Sequence, residues 1–334
     1  TRRAFENGKI NLLKAESISD LISSETEIQR KQALNIMNGR SADQFNSWRD
    51  KLLKILSNVE AKIDFPDEDL PEKNLLEIKK ISEEISQEIK KTLDDGKVGE
   101  KIREGFKIAI VGPTNVGKSS LINYLSRREV AIVSETAGTT RDVIETHLNI
   151  NGYPVIISDT AGIRDSKDEI ETKGIKIALK RAEEADLRLV MIEPKNLDFT
   201  GFLKDLFDKN SILVVNKCDQ QGIFLDEQIK KMNNVCISIK EDKNLDQLIF
   251  KISEILKHKF ISTENILITR ERHRQNLREC INHLKNFNEK NNEEDFDKAS
   301  EDLRLASQEI GKIVGKIDVE EILGSIFNDF CIGK

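Results

Sequence analysis

Gly112-Pro113-Thr114-Asn115-Val116-Gly117-Lys118-Ser119 fits the pattern G-x-x-x-x-G-K-[ST]. It follows the apolar run Phe106-Lys107-Ile108-Ala109-Ile110-Val111 and opens a stretch of helical pattern over 120–126. Strand, loop and helix in that order give the motif its physical meaning. The glycines let backbone N–H groups turn inward around an anion, and the helix N-terminus adds positive potential. In such a cradle Lys118 reaches toward phosphate oxygens and the Ser119 hydroxyl offers itself to Mg²⁺. A chance glycine-rich turn would lack one of the two flanks, and here both are present.

Outward from this loop, the hydrophobic period divides the chain into three. From Phe106 onward, short β-rich runs at 106–111, 146–150, 155–158, 187–192, 212–215 and 235–239 alternate with helical stretches such as 174–184, 202–208 and 245–255. Asn151-Gly152 between two of the runs predicts a hairpin. This order predicts an α/β, P-loop, Ras-like unit with a mostly parallel, doubly wound sheet and one antiparallel edge. On either side the period is helical. Ile18, Leu21 and Ile22 recur at helical spacing, as do Leu52, Leu53, Ile55, Leu56 and Val59, then Ile78, Ile81, Ile85 and Ile89. Phe65-Pro66-Asp67-Glu68-Asp69-Leu70-Pro71 interrupts the first helical region, and Gly96 and Gly99 close it. After Phe260 helices are expected at 269–290, 294–314 and 318–329, the last with Asp318 and Glu321 placed as a capping box. The expected organisation is a nucleotide domain, 104–260, inserted into an all-α helical domain made of 1–103 and 261–334.

Composition narrows the partners. Charged residues make up 34% of the chain and aromatics 5%, which suits long solvated helices, and the net charge of −6 argues against loose electrostatic binding to nucleic acid or an anionic membrane. No apolar run approaches the ~18 residues of a membrane span, and no signal-peptide pattern follows Thr1, so no membrane association is expected. The four cysteines form no CxxC pair, which predicts neither a disulfide framework nor a zinc site and suits a cytoplasmic location. The four histidines show no metal spacing, and Trp48 reads as a packing residue.

Four more motifs follow the phosphate loop along the chain. Asn216-Lys217-Cys218-Asp219 ends an apolar run. Asp219 presents two acceptors that match the N1–H and exocyclic amine of guanine, a donor pair that adenine lacks. Asp159-Thr160-Ala161-Gly162 also ends a run, where a turn sensing Mg²⁺ and the γ-phosphate belongs. Gly138-Thr139-Thr140-Arg141-Asp142 lies between, and Thr140 is read as the threonine completing the Mg²⁺ shell. Ser238-Ile239-Lys240 occupies the place of a base-contacting serine loop. Together with Asn115, Val116, Gly117, Lys118, Ser119 and Ser120 these residues predict a GTP/GDP site. The residue after Gly162, where related enzymes carry a water-orienting glutamine, is Ile163. The acidic run Arg164-Asp165-Ser166-Lys167-Asp168-Glu169-Ile170-Glu171 supplies candidates for that duty, although spacing alone favours a solvated switch loop with helix-start acids.

With these residues in place, the chain resembles the MnmE (TrmE) family of tRNA-modification GTPases. Asp-Thr-Ala-Gly-Ile-Arg (159–164) and Ala-Gly-Thr-Thr-Arg-Asp (137–142) are shared with related translation GTPases. The discriminating stretches are Arg2-Arg3-Ala4-Phe5 with Asn7-Gly8-Lys9 and Ala15-Glu16, then Ile63-Asp64-Phe65-Pro66-Asp67-Glu68, and the tail Phe330-Cys331-Ile332-Gly333-Lys334. The resemblance covers essentially the whole chain. It implies a K⁺ ion held by Asn115 and by the loop Ser134, Glu135, Thr136, Ala137, Gly138 and Thr139, with Ser134, Thr136 and Thr139 as ligands. It further implies Glu171 as the water-activating acid, Arg164 in support of the switch, and Cys331 as a tail cysteine needed for modification. Lys9 and Lys334 match positions that bind 5-formyltetrahydrofolate. The family's partners would be an MnmG-type FAD-dependent protein and tRNA, whose wobble uridine receives a group of the 5-carboxymethylaminomethyl type. Homodimerisation would run through the G domains and through an N-terminal folate-binding domain expected to precede Thr1, which makes this chain a fragment. Ile239 stands where the family usually has alanine. The main competing expectation is an Era- or Der-like ribosome-assembly GTPase. Ile310-Gly311-Lys312-Ile313-Val314-Gly315-Lys316 is reminiscent of a KH clamp, but its glycines are four apart and its flanks read as helix. A septin-like polymer is a further alternative.

Overall fold

A computed structural model describes residues 1–64, 73–128, 131–132, 145–158, 180–194, 207–220, 232–259, 266–290 and 296–315. The chain divides into two compact units. One comprises Thr1–Ser24, Gln29–Arg103 and Ser262–Lys334, and the other Glu25–Ile28 with Glu104–Ile261.

The first unit is helical among its described residues: α1 (Arg2–Glu6), α2 (Leu12–Ile22), α3 (Glu27–Met37), α4 (Arg40–Asp64), α5 (Lys73–Leu93) and α6 (Val98–Glu104). The helices α9 (Glu271–Glu289) and α10 (Phe296–Val314) return to it from the far end of the sequence. Four of these helices build one core from apolar residues three and four apart. α4 contributes Phe45, Trp48, Leu52, Ile55, Leu56 and Val59, and α5 contributes Ile78, Ile85 and Ile89. Leu277, Cys280, Leu284 and Phe287 of α9 meet Leu303, Ala306, Ile310 and Ile313 of α10. Trp48 is a packing residue, with its indole N–H satisfied by Glu88 Oε2 at 2.6 Å. Gly311 lies within α10 and Gly315 ends it at φ +80, so this stretch is helix rather than a KH clamp.

A run of charge at the start of α9 joins this unit together. Arg272 makes a two-pronged contact with Glu16 of α2, at 2.8 and 2.7 Å, and also donates to the Lys312 and Ile313 carbonyls at the end of α10. Arg270 donates to Asp20 at 2.7 Å, beside Arg103 of α6 at 3.0 Å. Arg274 reaches Glu100, Asp95 and the Leu93 carbonyl. His273 is buried, with Nε2 3.1 Å from Glu16 Oε2 and Nδ1 unpartnered, the pattern of a neutral ring donating through Nε2. Burial, with Arg272 adding to it, pushes the His273 pKa down to about 4. Burial alone would raise the Glu16 carboxyl, but the His273 and Arg272 contacts hold it well below the usual carboxylate range.

The second unit contains β1 (Phe106–Val111), α7 (Lys118–Arg128), β2 (Ala131–Ile132), β3 (Glu145–Ile150), β4 (Tyr153–Ser158), β5 (Leu187–Ile192), β6 (Ser211–Val215), β7 (Asn234–Cys236) and α8 (Leu245–Lys259). Its seven-stranded sheet has the order β2-β3-β4-β1-β5-β6-β7. β4, β1, β5, β6 and β7 run parallel, while β3 pairs antiparallel with β4 and β2 antiparallel with β3. The mostly parallel sheet with an antiparallel edge is therefore the observed one. The hairpin is tighter than the sequence pattern suggests. Ile150 pairs with Tyr153, and Asn151 and Gly152 both take positive φ (+50 and +88), as a two-residue I′ turn requires. β2 had no sequence signal, being two residues long. β7 ends at Cys236, earlier than the expected 235–239 run. Asp242 and Asn244 turn in the left-handed region (φ +54 and +59) and fold the chain back so that Ser238 bridges Lys243. The expected helix at 318–329 lies outside the described residues.

Two stability effects follow. Glu16→Ala removes the carboxylate partner of Arg272 and His273 and should cost about 3–5 kcal/mol in denaturant unfolding. Because the native His273 pKa lies below its ordinary 6.5, the unfolded chain binds a proton that the native chain does not. Stability should therefore fall as pH drops from about 6.5 toward 4, and His273→Gln should flatten that part of the unfolding-midpoint profile.

Candidate nucleotide-binding site

β1 has parallel neighbours on both sides, β4 and β5, so the strand order reverses there and the crevice beyond its carboxyl end is where such sheets bind ligands. The loops after β1, β6 and β7 leave from that one edge. Gly112 packs so closely on β5 that a Cβ would stand 2.3 Å from the Met191 carbonyl oxygen, which excludes any side chain. Gly117, at φ +106, would place a Cβ 2.4 Å from Asn216 Nδ2. Between them the loop turns at Asn115 with φ +61, and Val116 tucks its side chain into the core.

Lys118 opens α7, and its ammonium donates to the loop's own carbonyls, Gly112 O at 2.9 Å and Pro113 O at 2.7 Å. The positive charge is thus held over the loop. Ser119 and Ser120 follow, exposed in the first turn of α7, so the Ser119 hydroxyl stands at a helix N-terminus as a Mg²⁺ ligand would. Asn115 is exposed at the loop apex, and its side chain type and position fit a cation ligand on the solvent side.

The guanine-type motif reaches this loop through two residues. Asn216 is buried. Its Nδ2 donates to Val116 O at 2.8 Å, and its Oδ1 accepts from the Ile239 amide at 3.4 Å. Lys217, at φ +62, donates to Asn115 O at 3.0 Å and forms an ion pair with Glu193. Asp219 stands half-buried beyond them. Ser238 is fully buried, and its hydroxyl donates to Asp219 Oδ1 at 2.7 Å while accepting from the Glu241 amide at 3.2 Å. The Ser238 bond, then the Asp219 backbone N–H, and then Lys240 and Lys243 hold the Asp219 carboxyl below its ordinary pKa. Such a carboxylate remains an acceptor throughout the neutral range, as a guanine-reading group must.

The structure thus brings together Asn115, Val116, Gly117, Lys118, Asn216, Lys217, Asp219, Ser238, Ile239 and Lys240. Lys9 belongs to the helical unit, exposed in the turn after α1. Ser134, Glu135, Thr136, Ala137, Gly138, Thr139, Thr140, Asp159, Thr160, Ala161, Gly162, Arg164, Glu171, Cys331 and Lys334 lie outside the described residues. Sequence reading missed Glu193, whose only signal was an acidic residue directly after the β5 run. Cys218 within the Asn216–Asp219 motif and Cys236 at the end of β7 are free thiols, and burial pushes the Cys218 pKa up to about 12, with Cys236 adding to it. Among the described residues no cluster of His, Cys, Asp or Glu could hold a metal ion by itself. No helix among them is long and apolar enough to cross a membrane.

Base selection should therefore rest on Asp219 and its orientation on Ser238. Asp219→Asn should reverse the preference from GTP to XTP by at least about tenfold, because the amide donates where the carboxylate only accepts. Ser238→Ala should weaken guanine nucleotide binding by about tenfold without changing which base is preferred. Competition titrations with GTP, XTP and ATP measure both.

A family model for the MnmE helical domain matches residues 12–331. The chain is 70% identical over 334 residues to the tRNA modification GTPase MnmE of Pelagibacter ubique (strain HTCC1062), covering all of this chain and 75% of that protein. It is 46% identical over 340 residues to the protein of the same name from Rickettsia bellii (strain RML369-C), and 44% identical to that of Rickettsia akari (strain Hartford), with the same coverage in both. The phosphate loop on its strand–helix frame, the guanine motif tied to it and these chain-wide matches lead to one conclusion: this chain is a P-loop GTPase and belongs to the MnmE family.

Proposed function

We propose that the chain couples K⁺-activated hydrolysis of GTP to modification of the wobble uridine of certain tRNAs, in the cytoplasm and together with an MnmG-type FAD-dependent partner. The observation that carries this reading is the 70% identity across the entire chain to a protein named as a tRNA modification GTPase. Local features support it. The residue after Gly162 is Ile163, which cannot orient water, and Asn115 stands exposed at the apex of the phosphate loop. In this reading Ser119 and Thr140 hold Mg²⁺, and Asn115, Ser134, Thr136 and Thr139 hold K⁺. When bound, the K⁺ supplies positive charge opposite the charge that develops on the transferring phosphoryl group. Glu171 takes the proton of the attacking water, with Arg164 supporting the switch.

Hydrolysis drives rearrangement of domains, and the carbon chemistry on the base belongs to the tail cysteine Cys331, to a one-carbon folate bound through Lys9 and Lys334, and to the flavoprotein. Two copies meet through their G domains when the switch closes. Closure excludes water and strengthens each fixed charge.

Cation exchange tests the first part. GTP turnover should be substantially faster in K⁺ than in Na⁺ at equal ionic strength, and equal rates would remove K⁺ from the mechanism. The second part turns on Glu171→Ala, which should keep GTP affinity within about threefold while losing more than ~10²-fold in single-turnover hydrolysis. Asp165→Ala and Asp168→Ala should lose far less. Wild-type hydrolysis by Glu171→Ala would move the duty to another acid of the run.

A further inference from the structure

The Asn216 amide donates to the Ile192 carbonyl at 2.9 Å, so the ends of β5 and β6 stay in register past the last strand residues. The next residue on each chain segment therefore meets the other, and Glu193 forms an ion pair with Lys217. Lys217 in turn donates to the Asn115 carbonyl at 3.0 Å, at the apex of the phosphate loop. Asn115 and Lys217 both sit in the left-handed region, at φ +61 and +62, a conformation that asparagine tolerates and lysine does not favour.

We infer that Glu193 is a positioning residue for guanine nucleotide binding: it fixes the Lys217 ammonium so that the base-reading loop and the phosphate loop are held as one piece. The inference rests on the reading of this edge as the guanine nucleotide site. A lysine stem is long and flexible, and one bond from its ammonium to a carbonyl on a solvated loop does not immobilise it. The carboxylate adds a second, charge-assisted bond. The side chains of Lys217 and Glu193 are 34% and 31% exposed, so solvent screens the pair and its contribution to fold stability is small. Its effect falls on the loop geometry instead. A purely electrostatic role would have the opposite sign, because a carboxylate near bound phosphates repels them and its removal would tighten binding.

Glu193→Gln keeps the shape and removes the charge. Release of a fluorescent GDP analogue from the full chain, followed by stopped flow, should become about tenfold faster, while single-turnover hydrolysis at saturating GTP stays within about threefold. Lys217→Met should also speed release, and the double variant should release no faster than Lys217→Met alone, since the two residues act as a unit. Unchanged or slower release from Glu193→Gln, or independent multiplicative effects in the double variant, overturns the inference. Failure of the unaltered chain to hold the GDP analogue at all would overturn the reading of the site instead. If Glu193→Gln lowers the thermal midpoint, Glu193→Asp carries the test. It keeps the charge with a shorter reach, so release between the wild-type and Glu193→Gln rates at a wild-type midpoint supports the inference. Wild-type release from it overturns the inference.

Discussion

One buried side chain holds the nucleotide edge together. Asn216 uses both ends of its amide, giving a hydrogen bond to the phosphate loop at Val116 O and taking one from the serine loop at Ile239 N. Three segments far apart in sequence are thereby fixed to one another through a residue with almost no solvent contact, where an unmet amide group would be costly. The constraint also acts backward on the phosphate loop. Gly117 must lack a side chain not only for its positive φ but because Asn216 occupies the space a Cβ would take. The second glycine of one motif and the first residue of another are therefore a single steric and hydrogen-bonded unit.

The same edge contains two carboxylates with opposite requirements, and their neighbours differ accordingly. Asp219 has to offer negative acceptors to a ligand, and it is oriented by the hydroxyl of Ser238, a neutral donor that aims the group without cancelling its charge. Glu193 serves the protein's own geometry, and its partner is the Lys217 ammonium, which neutralises it. The contrast carries over to the helical unit. There Glu16 is almost completely removed from water, and a neutral donor alone would not suffice. It takes both prongs of Arg272 together with His273. Holding the imidazole neutral keeps its bare Nδ1 an acceptor rather than a buried donor with no partner.

Much of this was legible in the sequence because the signals are local. The phosphate loop, the Asn151-Gly152 hairpin and the apolar spacing in α4, α5, α9 and α10 each depend on residues a few positions apart, where backbone geometry dictates the pattern. What escaped notice depends on pairs brought together only by the fold. Glu193 meets Lys217 because β5 and β6 are neighbours, and nothing in the intervening residues announces it. Glu16 and Arg272 lie at opposite ends of the chain. β2 is too short for any period to show, and β7 stops early because left-handed turns at Asp242 and Asn244 bend the chain to aim Ser238.

That last turn shows why a motif can be placed by sequence while the action of its residues cannot. Ser238-Ile239-Lys240 reads as a loop that touches the base directly. In the fold the serine side chain is buried beneath Asp219, the isoleucine contributes a backbone amide to Asn216, and the lysine acts on Asp219 through its charge. Each of the three is tied to another residue of the site. The isoleucine found where the family usually has alanine accordingly changes little of what is required at that position: a backbone N–H aimed at Asn216 Oδ1, which any residue other than proline supplies. Asn216 differs, because its side chain itself must both give and accept a hydrogen bond.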